Sequence, residues 1–219
     1  MIFTDRSDAG RQLARLLSPY AAAGALVLGL PRGGVVVAAE VADALAAPLD
    51  VWVVRKIGAP SQPELGLGAI AEGSGVFLDR ALARRAGVDE RALAALMARE
   101  QIELERRVRV YRRGRPPPAI EGQTVILVDD GLATGSTARA ALSALAAHRP
   151  ARLVFAVPVA ATESLVALEG AVDETVVVRS IDDLRSIGEW YANFDQTPDD
   201  EVLAHLDRAS ERSRAHRTA

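Results

Sequence analysis

Cysteine is absent from this 219-residue chain. Disulfides, a thiol nucleophile and a thiolate zinc site are therefore excluded. Histidine is scarce as well: His148, His205 and His216 are scattered and offer no metal-ligand spacing. No apolar run approaches the ~18 residues that a membrane span requires. The opening segment MIFTDRSDAG carries Asp5 and lacks the apolar stretch of a signal peptide. A soluble, cytoplasmic protein with no membrane partner is the expectation. The net charge of −3 has the wrong sign for a dedicated nucleic-acid binder. Lysine occurs once, at Lys56, and asparagine once, at Asn193. A lone lysine among arginines marks a place where a compact ammonium suits better than a planar fork.

What remains is 49% hydrophobic and 25% charged, the composition of one globular domain with a full core. Residues 25–30 (ALVLGL), 50–54 (DVWVV), 124–128 (TVILV), 153–157 (LVFAV) and 175–179 (TVVVR) read as strands. Residues 5–17, 35–47, 136–147 and 162–169 read as helices between them. This alternation predicts a mainly parallel α/β sheet with helices on both faces. The two prolines and three glycines of 57–68 predict a flexible loop with no regular element. Small strands are expected on either side of Gly73-Ser74-Gly75. Residues 79–113 are helical in pattern, broken at Ala86-Gly87 with Asp89 as N-cap. A last helix starts at Thr197-Pro198, with Asp199, Asp200 and Glu201 complementing its dipole and fraying from 210. No internal repeat or linker is visible. One domain, 1–219, is expected, with its core at about 25–180, a helical insertion at about 79–118 and a carboxy-terminal hood and helix at about 187–216.

The most informative segment is VILVDDGLATGST, 125–137. A buried strand delivers Asp129 and Asp130, followed by a loop of small residues and then a helix. Gly131, Ala133, Thr134, Gly135, Ser136 and Thr137 lack bulk, so backbone N–H groups can close around an anion. Phosphate is the natural occupant. The acids would repel phosphate at contact but suit sugar hydroxyls or a magnesium shell nearby. A ribose 5-phosphate satisfies both halves.

This segment resembles the phosphoribosyl-pyrophosphate (PRPP) motif of type I phosphoribosyltransferases: apolar strand, two acids, a short variable stretch, then Thr-Gly-Ser-Thr. The resemblance implies transfer of the 5-phosphoribosyl group from PRPP to a nitrogenous base, releasing pyrophosphate, as in nucleotide salvage. It implies magnesium as cofactor, held by Asp129 and Asp130 through water or ribose, and it is compatible with a homodimer. Gly131, Leu132, Ala133, Thr134, Gly135, Ser136 and Thr137 would bind the PRPP phosphate. Arg32, Gly33 and Gly34 sit where the family places its pyrophosphate loop. Arg55 and Lys56 match the basic pair of the adenine-type branch, entering a loop that closes over the site. Asp129, Asp130, Arg55 and Lys56 are thus the expected catalytic set. The hypoxanthine-guanine branch has an acid where this chain has Ala133, so Glu64, Glu72 or the base's own tautomer would handle the base proton, and a purine-like acceptor is favoured over orotate. Leu132 and the cluster Trp190, Tyr191 and Phe194 would sandwich the base, with Asn193 and Gln196 reading its edges; alternatively the aromatics are a small core. The arginines of 99–115 form a solvated face with pairs such as Glu103–Arg107, a nucleic-acid stripe, or part of a phosphate-attracting rim. The rival reading on the same scaffold is a non-catalytic PRPP- or nucleotide-sensing regulator.

Overall fold

The computed structural model describes residues 2–217. The side chains at 63, 64, 74, 213 and 215–217 lie outside that description, and with them the expectation for Glu64. Five strands form a parallel sheet: β1 (Leu26–Gly29), β2 (Leu49–Val51), β6 (Thr124–Val128), β7 (Arg152–Ala161) and β8 (Glu174–Ile181), in the order β2-β1-β6-β7-β8. Alternate residues of these strands serve opposite faces. Val27, Ile126, Val128 and Val154 join a core that includes α1 (Arg6–Leu16), α2 (Gly33–Ala44) and α7 (Asp199–Arg217). Leu28, Val125, Leu127 and Phe155 pack with α5 (Ser136–Ala147) on the other face. The remaining short helix, α6 (Thr162–Val166), follows β7. Among the described residues no helix is long and apolar enough to cross a membrane.

The segment 57–68 departs from expectation. It is not an irregular loop but lies in a hairpin of β3 (Val54–Ala59) and β4 (Gln62–Ala71), extended by β5 (Gly75–Leu78) into a three-stranded antiparallel sheet. Its glycines serve close approach, because a Cβ at Gly68 would lie 2.2 Å from the Phe77 carbonyl oxygen. A register irregularity at Ile57–Ala59 bends the hairpin. Strand 50–54 is likewise divided. β2 ends at Val51, and Val54 opens β3, so Arg55 and Lys56 stand in the hairpin rather than at the end of a parallel strand.

The insertion forms α3 (Arg80–Arg85) and α4 (Glu90–Arg112), with Asp79 and Asp89 as N-caps accepting from Leu82 and Ala92 N–H. A buried ion cluster ties the end of α4 to the point where the chain leaves the parallel sheet. Arg112 donates to Glu72 (2.8 Å), Asp50 (3.2 Å) and the Val51 carbonyl (3.2 Å). Helix α7 continues to Arg217, beyond the expected fraying point.

Candidate active site

The strand order reverses between β1 and β6. Their carboxyl ends diverge there to opposite faces, β1 into α2 and β6 into α5, leaving the crevice in which open α/β sheets bind ligands. The Leu30 N–H donates to the Val128 carbonyl at 2.9 Å, which joins the two loops at their roots.

Residues 30–34 press directly on the acids. A Cβ at Gly34 would stand 2.9 Å from the Asp129 Cα, and one at Gly33 would stand 2.0 Å from Asp130 Oδ2. At Gly34 a side chain would meet backbone, and at Gly33 it would displace the Asp130–Arg6 ion pair. The Pro31–Arg32 peptide is cis. The Arg32 side chain is half-buried and within electrostatic reach of Tyr111.

Asp129 Oδ1 accepts the Asp130 N–H at 2.9 Å, and Asp130 Oδ2 accepts from Arg6 Nε at 2.8 Å. The second oxygen of each carboxylate has no partner among the described residues. Burial pushes the Asp129 carboxyl well up, and the adjacent Asp130 charge adds to it. Burial also raises Asp130, against the opposing pull of Arg6.

The loop after Asp130 turns through Gly135, whose φ of 75° is left-handed and suits glycine, into the amino terminus of α5. Ala133 and Thr134 are exposed, and Thr134 Oγ1 lies 3.4 Å from the buried Ser136 Oγ. The Ser164 hydroxyl donates to the Ala133 carbonyl and pins the loop from α6. Leu132 is buried in the core beneath the loop, its N–H bonded to the Val159 carbonyl at 2.9 Å.

The basic pair is divided by strand alternation. Arg55 turns toward α4 and pairs with the buried Glu100 at 2.6 Å. Lys56 runs along Gly66, and a Cβ at Gly66 would lie 2.9 Å from Ser136 Oγ and 3.5 Å from the Lys56 stem. The Lys56 stem thus runs past the glycine that abuts Ser136, while Arg55 is turned to α4. Glu72 is committed to Arg112 and to the Val53 N–H.

The aromatic segment forms a small core with the amino terminus. Tyr191 is buried against Phe3 (5.3 Å between ring centroids) and Phe194 (4.9 Å), and its hydroxyl donates to the Asp130 carbonyl at 2.6 Å. Trp190 and Phe194 are half-buried. Asn193 and Gln196 line a polar cleft of about 240 Å³ together with Arg6. Two residues that touch the loop and the acids were not anticipated. A Cβ at Gly131 would meet the Ile187 side chain at 2.5 Å, so Ile187 covers the loop. Arg6 also donates to the Asp195 carbonyl at 2.7 Å and stacks on Phe194 at 3.9 Å. The Arg6 partners lie 124 and 189 residues away, beyond the reach of any local pattern.

A doubly wound α/β sheet with paired acids and a small-residue loop at its switch point defines a class, the α/β domains built around a phosphate-type strand–loop–helix. Within that class the family model "Phosphoribosyl transferase domain" matches residues 9–184, and the chain belongs to this family. A Mycobacterium tuberculosis protein, named provisionally as a phosphoribosyl transferase, is 46% identical over 208 residues, covering 95% of this chain and 47% of its own length. The chain thus spans about half the length of the curated relatives it matches. The crystal structure of TT1426 from Thermus thermophilus is 44% identical in sequence, with a TM-score of 0.78 over 94% of this chain and 98% of that one. A Neisseria gonorrhoeae protein solved with bound ppGpp shares the fold alone, at 13% identity and a TM-score of 0.53 over 95% of this chain and 94% of that one.

Proposed function

We propose that the chain transfers the 5-phosphoribosyl group of PRPP to a ring nitrogen of a purine-like base. The carrying observation is that the Gly33-Gly34 turn lies directly against Asp129 and Asp130, which lead straight into the 131–137 loop, at one switch point. The sugar phosphate fits the amide-rich loop and the amino end of α5. The unpartnered oxygens of Asp129 and Asp130 suit two ribose hydroxyls.

In the reaction the C1–O bond to pyrophosphate breaks, its electron pair leaving with the pyrophosphate, a C1–N bond to the base forms, and the base gives up its N–H proton to the departing pyrophosphate or to solvent. Positive charge grows on the sugar, beside the two carboxylates, which favour it. Negative charge grows on the leaving pyrophosphate, beside the 32–34 turn, where Arg32 and Lys56 are the cations for it. Arg55 acts through α4, since it is held by Glu100. The hairpin tip at 60–61 and the 187–197 hood exclude water from the site.

Two carboxylates with one committed oxygen each do not make an all-protein metal cage, and no cluster of three such ligands occurs among the described residues. That donor set fits magnesium, an ion that keeps waters and takes substrate oxygens besides one or two carboxylates. Asp129 and Asp130 would hold it, through water or ribose. When bound, it supplies charge neutralisation of the pyrophosphate.

The base would lie toward Ile187, Trp190 and Phe194, with Asn193 and Gln196 at its polar edge. The test is PRPP-dependent pyrophosphate release across adenine, guanine, hypoxanthine, xanthine, uracil and orotate. Release with a purine supports the reading. PRPP binding without release for any base supports a sensor on the same scaffold instead.

A further inference from the structure

The 187–197 hood and the ribose acids are joined by one side chain that neither local pattern nor motif assigns. Arg6 lies in the first turn of α1, yet three separate parts of the site meet on it. Its Nε donates to Asp130 Oδ2 at 2.8 Å, and another nitrogen donates to the Asp195 carbonyl at 2.7 Å. Its guanidinium plane stacks 3.9 Å from the centre of the Phe194 ring. The side chain is only 12% exposed. The pyrophosphate turn is shaped around this ion pair: a Cβ at Gly33 would lie 2.5 Å from Arg6 Nε as well as 2.0 Å from Asp130 Oδ2.

We infer that Arg6 is a positioning residue that fixes Asp130 for the ribose and links the ribose acid to the hood. The geometry requires a fork rather than a point charge. One edge takes the carboxylate, another the hood backbone, and the flat face takes the phenyl ring, a combination an ammonium cannot reproduce. With Oδ2 held by Arg6 and Oδ1 without a partner among the described residues, the acid is presented in one orientation. Tyr191 holds the same residue from its backbone side through the Asp130 carbonyl, and Phe194 lies against both Tyr191 and Arg6. Hood and ribose site therefore form one packed unit, and an acceptor held by the hood is registered against the sugar through Arg6.

This inference rests on the reading of Asp130 as a ribose-binding acid, and a double-mutant cycle separates the two. Binding of PRPP with magnesium is measured by calorimetry for the wild type, Arg6→Gln, Asp130→Asn and the double variant, with melting temperatures alongside. The expected result is a roughly tenfold weaker Kd for Arg6→Gln, the scale of one charge-assisted hydrogen bond. In the Asp130→Asn background the same change should cost less than about twofold, because its partner is already gone. Arg6→Lys should lie between, with charge kept and the fork lost. Equal losses in both backgrounds would mean that Arg6 touches PRPP itself, and would overturn the positioning role, as would an unchanged Kd in Arg6→Gln. Unchanged affinity in Asp130→Asn alone would instead remove the ribose-acid reading, and with it this one. Should Arg6→Gln not fold, Arg6→Lys in the two backgrounds carries the same comparison, with a loss of about threefold confined to the background that retains Asp130.

Discussion

Replacing Arg112 by glutamine tests how the antiparallel sheet is anchored to the parallel one. Arg112 is 5% exposed and satisfies Glu72 and Asp50 at the point where the chain passes from β2 to β3. Glutamine would leave two carboxylates facing each other with no cation between them. Breaking a buried pair by removing one partner costs about 3–5 kcal/mol. At roughly 2–4 °C per kcal/mol for a chain of this size, the melting temperature should fall by about 6–20 °C. The pH dependence adds a second signature. Burial pushes the Glu72 carboxyl up even with Arg112 beside it. A carboxyl raised in the folded state holds more protons there than when unfolded. Stability is then fully present below the ordinary carboxylate value and falls as pH rises through the raised one. Without Arg112 that value rises further, so the deficit of the variant should widen as pH rises from the ordinary carboxylate range toward neutrality. Thermal melts by circular dichroism across that range measure both effects. Arg112→Met with Glu72→Met should recover part of the loss, since well-packed apolar replacement of a buried pair is often neutral. A fall below about 2 °C with no pH trend would refute the anchoring role.

Lys56→Ala should lower turnover with little change in melting temperature, and Lys56→Arg should restore it only in part, read from steady-state pyrophosphate release. Asp129→Asn with Asp130→Asn should weaken PRPP binding at least tenfold by calorimetry, since charged acceptors contribute roughly 1.5–3 kcal/mol each. Tyr191→Phe removes the donor to the Asp130 carbonyl and should cost about 1 kcal/mol in denaturant unfolding, together with weaker PRPP binding. Gly75→Ala would place a Cβ 2.2 Å from that of Ala144. Overpacking of that kind costs about 1–3 kcal/mol, seen as a lower urea midpoint at unchanged slope.

The strand–loop–helix of 124–147 was legible because it is local: strand 124–128 and helix 136–147 occur at the expected bounds. The hairpin was not, because glycine and proline were weighed as breakers. At 66 and 68 the glycines instead admit Ser136 and the Phe77 carbonyl, contacts that lie outside the segment itself. Arg55 and Lys56 show the same limit. As adjacent strand residues they point to opposite faces, a division invisible until the strand is recognised. The three aromatics within five residues did mark a real cluster, but its partner, Phe3, comes from the opposite end of the sequence.

Helix α5 is gripped from two sides. Its buried alanines and leucines meet the parallel sheet, while Gly75 of β5 brings the antiparallel sheet against Ala140 and Ala144. Such a helix behaves as a strut. It cannot tilt or slide without prising open one sheet or the other. The cradle at its head is therefore held in place, and any opening or closing falls to a part clamped less tightly, the exposed hairpin tip at 60–61. Engineering that alters opening and closing can accordingly begin at that tip, whereas changes within 187–197 would reach Asp130 through Tyr191 and the loop through Ile187.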